Sequence, residues 1–131
     1  MASIKDLLQS ADYKSEKHVP LIEVQDKAKK GEWITLTISV GKEIPHPNTT
    51  EHHIEWLELY FLFQGEKFPQ LLARLECSSH GASVQGPNTS TVYTQPVLTC
   101  GFKTDKPGTL FAASFCNIHG IWESSKELTL E

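Results

Sequence analysis

The chain lacks the features that would tie it to a membrane, to nucleic acid or to a disulfide scaffold. No run approaches the ~18 consecutive apolar residues that a membrane-spanning helix needs. The opening residues, MASIKDLLQS, carry Asp6 and no apolar core of the secretory kind, so they predict no export signal and, by default, a cytoplasmic protein. The formal net charge of −4 excludes a general attraction for nucleic acid or anionic lipid. An anionic substrate would have to be drawn by local positive charge. There are only three cysteines, Cys77, Cys100 and Cys116, an odd number without regular spacing, which argues against a disulfide framework. As thiols in a reducing compartment they remain available as metal ligands. Internal repeats and low-complexity segments are missing. The 131 residues predict one domain, 1–131, able to hide roughly two thirds of its surface on folding.

What is present is mostly β pattern. In residues 33–40, WITLTISV, the apolar Ile34, Leu36, Ile38 and Val40 alternate with Thr35, Thr37 and Ser39, the period of a half-buried strand. Residues 53–63 form a second candidate strand, with alternation blurred near Leu57 in the manner of a bulge. Further strands are expected at 71–77, 90–100, 108–116 and 127–131, with Pro96 marking an edge or bulge. Gly86-Pro87-Asn88 and Lys106-Pro107-Gly108 are turn signals. Residues 3–10 predict a short helix, with Ser3 and Asp6 at capping-box spacing, and residues 11–24 read as irregular. About seven short strands predict an all-β protein, an immunoglobulin-like antiparallel β-sandwich with a short N-terminal helix.

Six histidines are placed unevenly. His18 lies in the irregular segment, His46, His52 and His53 lie in or beside the 41–53 loop, and His119 follows Cys116 by three positions in the turn CNIHG. A tight turn brings positions three apart together, so Cys116 and His119 can meet at one point, and the HPNTTEH segment can wrap a second pair around it. Imidazole and thiolate suit iron, copper, zinc or nickel and are poor partners for magnesium or calcium. If His52 and His53 begin a strand, they face opposite ways, and one of them is structural or exposed. His80, alone in a polar loop, is expected to be a solvated side chain. Cys77 and Cys100 sit in strand patterns and are expected to be buried thiols.

Three other classes compete. A blue-copper carrier is a β-sandwich with His and Cys ligands, but it needs a weak axial ligand, commonly Met, soon after the last histidine. The only methionine here is Met1. A structural zinc site takes four ligands in a closed tetrahedron, fewer than this chain offers. A binding module of immunoglobulin-like shape would carry its histidines incidentally.

In combination and order, the segments Glu16-Lys17-His18-Val19-Pro20, Ile44-Pro45-His46-Pro47-Asn48, Thr50-Glu51-His52-His53-Ile54 and Cys116-Asn117-Ile118-His119-Gly120 closely resemble the superoxide reductases, specifically the short neelaredoxin form of the desulfoferrodoxin family. The longer desulfoferrodoxins carry an extra N-terminal iron domain with its own cysteines. No cysteine precedes Cys77, so a single iron per chain is expected. The resemblance implies equatorial ligands His18, His46, His52 and His119, an axial Cys116 thiolate, and an open sixth position for substrate. It selects His52 over His53 and gives His80 no ligand role. It implies one-electron reduction of superoxide to hydrogen peroxide, with Lys17 attracting the anion and Glu16 taking the sixth position when the iron is ferric. It further implies a rubredoxin-like electron donor and a homotetramer.

Overall fold

The alternation after Trp33 buries Ile34, Leu36 and Ile38 almost completely and leaves Thr35 to solvent, so this segment folds as a strand with one face inward. In the computed structural model, which describes residues 2–25 and 28–131, it is the centre of a three-stranded sheet. That sheet has the order β1 (Leu21–Val24), β2 (Ile34–Ser39), β5 (Val97–Phe102). A four-stranded sheet has the order β4 (Gln70–Glu76), β3 (Ile54–Phe63), β6 (Gly108–Cys116), β7 (Gly120–Leu128). Every pairing within both sheets is antiparallel. The inner faces meet in one core, where Ile34, Leu36 and Ile38 join Leu57, Leu59 and Leu110. This is the expected antiparallel sandwich. No described helix is long and apolar enough to cross a membrane.

Several boundaries differ from expectation. The helix α1 covers only Ile4–Leu7 instead of 3–10. Ser3 N–H does donate to Asp6 Oδ2 at 3.1 Å, but Leu8 is already extended, because Gln9 pairs with β7 through Ile121 O and Glu123 N. The free edge of a strand captures the residue that would have continued the helix. The stretch thought irregular contains β1, which is short but paired along its whole length with β2. β5 begins at Val97, not at residue 90, because Pro96 has no N–H to give a ladder. The last strand runs over Gly120–Leu128, upstream of the expected 127–131. On β3 the ladder is interrupted on either side of Leu57, at Ile54/Trp56 and at Leu59/Tyr60, and not at Leu57 itself.

The register decides what meets at the end of the sandwich. Cys116 stands opposite Ile54 on β3 and opposite Gly120 on β7. The residues before β3 and the turn joining β6 to β7 therefore share one end. Gly120 has φ of +82°, which lets that turn reverse within three residues where a side chain would be strained.

A candidate metal centre of four imidazoles and a thiol

Four histidine rings close into a circuit at that end. Ring centroids are separated by 4.8 Å for His18–His46, 4.8 Å for His46–His52, 5.1 Å for His52–His119 and 4.7 Å for His18–His119. The rings meet edge-on or tilted, with interplanar angles from 51° to 81°. Ligand atoms of His18, His52, Cys116 and His119 lie within 4.8 Å of one another. His18 Nε2 is 3.2 Å from His119 Nδ1, which is 3.7 Å from Cys116 Sγ. Nε2 of both His46 and His52 is buried and has no hydrogen-bond partner. Buried polar atoms are rarely left so. Two orphaned nitrogens in a ring of imidazoles beside a thiol fit a soft or borderline metal ion, which would satisfy them.

The candidate ligands His18, His46 and His52 are held by contacts outside the circuit. Glu16 Oε1 accepts from His18 N at 2.9 Å and lies 2.5 Å from His18 Nδ1, which assigns the ring proton to Nδ1 and leaves Nε2 free. Ser114, fully buried on β6, donates to the His18 carbonyl at 2.8 Å. His46 Nδ1 donates to Pro47 O at 2.7 Å, which frees its Nε2 in the same way. Thr49 brackets His52 by accepting from its N–H at 3.0 Å and donating to its carbonyl at 3.2 Å. Cys116 is fully buried, and its sulfur accepts the His119 N–H at 3.4 Å. His119 itself is exposed, so the circuit is open to solvent on its side.

Burial disfavours the charged form of His46 and His52, and metal binding requires neutral imidazoles. Burial, with smaller contributions from His18, His52 and Lys17, pushes His46 down to about 4, against the opposing hydrogen bond to Pro47. Burial also lowers His52, helped by His119 and Lys17. Glu16 feels burial as a penalty on its charge, but the hydrogen bonds from His18 outweigh it and hold the carboxyl below its ordinary value. Among the described residues Lys17 forms no ion pair, and its charge acts on both His46 and His52.

The model of the desulfoferrodoxin family matches residues 10–125. The chain belongs to the desulfoferrodoxin family. It is 54% identical to the superoxide reductase of Pyrococcus furiosus, over 98% of this chain and 99% of that one. It is 49% identical to the neelaredoxin of Megalodesulfovibrio gigas, over 96% and 97%. The structure of the superoxide reductase (neelaredoxin) of Archaeoglobus fulgidus in its reduced form superposes with a TM-score of 0.88 at 56% identity, covering 95% of this chain and 99% of that one.

Of the five residues expected as ligands, His18, His52, His119 and Cys116 bring ligand atoms within 4.8 Å of one another and the His46 ring lies between those of His18 and His52, with Glu16 hydrogen-bonded to His18 and the Lys17 charge felt by His46 and His52. His53 points away, as expected of one of two neighbours entering a strand. The expectation for His80 was wrong. It is 8% exposed and stacks on His53 with centroids 3.5 Å apart and planes 5° apart. The loop that carries it is docked, not free. Cys77 is buried as expected, with its thiol pushed up to about 11 by burial and by Glu76. Cys100 is only half-buried, because its strand lies at a sheet edge.

The sequence offered little sign of the residues that brace the ligands. Asn117 spans the two ligand loops: its Oδ1 accepts from His53 N at 2.9 Å and its Nδ2 donates to Glu51 O at 2.8 Å, one residue on each side of His52. Asn88, at φ of +58°, accepts from Thr50 N at 2.9 Å and donates to both Glu51 carboxylate oxygens, clamping the ligand loop from outside. A polar side chain between two ligand residues, as in Cys116-Asn117-Ile118-His119, is the signal that could have identified Asn117.

Proposed function

We propose that the chain is a superoxide reductase with one iron ion, held by His18, His46, His52, His119 and Cys116. The observation that carries this is the closed circuit of four imidazoles with two orphaned nitrogens beside a buried thiol. Relatives at about half identity over nearly the full length are named superoxide reductase or neelaredoxin, which supports both substrate and metal. Five donors exceed the four of a closed structural zinc site.

Iron in this setting supplies one electron to superoxide, which takes up two protons and leaves as hydrogen peroxide. The chain does the rest. Burial disfavours the charged form of His46 and His52, so these two rings are ready to bind a cation without first losing a proton. The His119 N–H tempers the charge on the Cys116 sulfur. Lys17 provides a local positive charge in a protein of net charge −4 and draws the anion in. The exposed side at His119 admits water as the proton source. Glu16 has two partners in this reading: His18 Nδ1, and the ferric ion as the family resemblance implies. Oε1 is the oxygen engaged with His18, so Oε2 is the one that would serve a ferric ion.

The same reading assigns residues 1–131 to a single iron-binding domain, a rubredoxin-like protein as electron donor, a homotetrameric assembly and a cytoplasmic setting. The deciding experiment is metal analysis followed by mixing the reduced protein with superoxide. One iron per chain, oxidised once per peroxide formed and without oxygen release, is the expected result. A protein without iron, or one that evolves oxygen, defeats it.

A further inference from the structure

His18 lies outside every strand, so no ladder sets the direction of its ring. Side-chain contacts must do so. Glu16 holds one edge, and the face is covered by Trp122, whose ring stacks on the His18 imidazole at 4.9 Å between centroids and 14° between planes. Trp122 Nε1–H also donates to the carbonyl of His119 at 3.2 Å. One side chain thus touches two members of the histidine circuit that are 101 residues apart in the chain.

Trp122 is well anchored for such a task. It sits on β7 opposite Ser114 on β6, the residue whose hydroxyl holds the His18 carbonyl. Its other edge receives Gln9, which bridges to it from the N-terminal segment. The cross-strand pair Ser114/Trp122 therefore fixes His18 at both backbone and ring. The other two tryptophans do something different: Trp33 is 70% exposed under Lys103, and Trp56 stacks on Phe115 and Arg74.

We propose that Trp122 is a positioning residue of the metal centre, setting the plane of His18 by its indole face and the CNIHG turn by its N–H. The inference rests on the ligand set proposed above. It assigns to Trp122 a share of metal affinity and of coordination geometry, although it offers no ligand atom. Partners that orient ligands in this way typically carry 10- to 100-fold in metal affinity.

The test uses Co2+ as a redox-silent probe with visible absorption bands sensitive to geometry. The metal-free protein is titrated against a chelator of known affinity, for the natural chain, Trp122→Leu, Trp122→Phe and Trp33→Leu. Phe keeps an aromatic face and loses the N–H, and Leu loses both. The expected order is a loss of about 10-fold or more for Trp122→Leu, about threefold for Trp122→Phe, and none for Trp33→Leu. The Co2+ bands shift in the two Trp122 variants. Thermal melting of the metal-free forms checks the fold. If Trp122→Leu does not fold, Trp122→Phe decides alone, through its affinity and band positions. Natural affinity and unchanged bands in the Trp122 variants, or equal losses in Phe and Leu, overturn the inference. A natural chain that takes up no Co2+ is a separate result, and it defeats the ligand set itself.

Discussion

Two groups of histidines lie at the same end of the sandwich, and they are built in opposite ways. In the circuit of His18, His46, His52 and His119 the rings meet edge-on or tilted, and two Nε2 atoms are buried without a partner. In the pair His53–His80 the rings lie flat on one another, and every ring nitrogen lies within 3.4 Å of a protein oxygen. His53 Nδ1 is 2.8 Å from Thr49 O and its Nε2 is 3.4 Å from Glu55 Oε1. His80 Nδ1 is 2.7 Å from Asn48 Oδ1 and its Nε2 is 2.5 Å from Cys77 O. One group leaves two nitrogens without a protein partner. The other spends its nitrogens on the protein. The residue type is the same in the two groups, and the braced pair is the more uniformly buried, so the state of the nitrogens is what separates a candidate metal site from a brace.

The sharpest way to break this contrast is to remove a donor from each group. Cys116→Ala or His52→Ala should lower affinity for Fe2+ or Co2+ by well over about 100-fold, beyond what outer partners contribute, as measured by chelator competition. His80→Ala should retain stoichiometric metal. Loss of metal in that variant would erase the distinction. Its cost should instead be stability, about 1–3 kcal/mol in denaturant unfolding, because an acceptor beside the ring, Asn48 Oδ1 or the Cys77 carbonyl, loses its donor.

Acid should tell on the metal-free protein next. His46 titrates at about 4 against an ordinary 6.5, and burial lowers His52 and His80 as well. The unfolded chain therefore binds more protons than the folded one between about pH 6.5 and 4. Stability is fully present above that window and falls as pH drops through it. Thermal melting across pH 7.5 to 4 checks the direction. A flat profile would mean that these rings are not held neutral by the fold.

Smaller effects are expected from the two residues beside the circuit. Lys17→Ala should slow the encounter with superoxide by about tenfold or less and flatten its dependence on ionic strength, as followed by rapid mixing or pulse radiolysis. Glu16→Ala should leave the reduction step fast while altering the absorption of the ferric protein. An unchanged ferric spectrum would leave Glu16 only as the partner of His18.

Much of this was legible in the sequence. The period-two alternation of residues 33–40 marked β2, and the candidate ligand histidines were reached through four short segments that together resemble a known family. What was hidden depended on long-range pairing. The stretch GIWESSKEL is polar and buries little beyond Leu128, because β7 lies at a sheet edge, so no hydrophobic period announced it. Trp122 was obscured for the same reason. His80 looked solvated because its surroundings are polar, yet the loop at 78–94 is docked by Asn48 to Thr94 O and by Thr50 to His80 O. Polar packing of that kind leaves no trace in hydrophobicity.

The ligand circuit also bears on how the chain matures. His18 and His119 are 101 residues apart, and His46 and His52 come from a third segment. Closing such loops is entropically costly in the unfolded chain and is accomplished only when both sheets have formed. On this ground metal uptake is expected to follow the topology instead of leading it. A nascent chain would not hold a redox-active ion before the framework that tames it exists. Once the ion is bound, it stabilises the finished state by mass action, in proportion to the logarithm of free metal over its dissociation constant. The last strand to dock would thus set the moment at which the protein becomes both more resistant to unfolding and chemically competent.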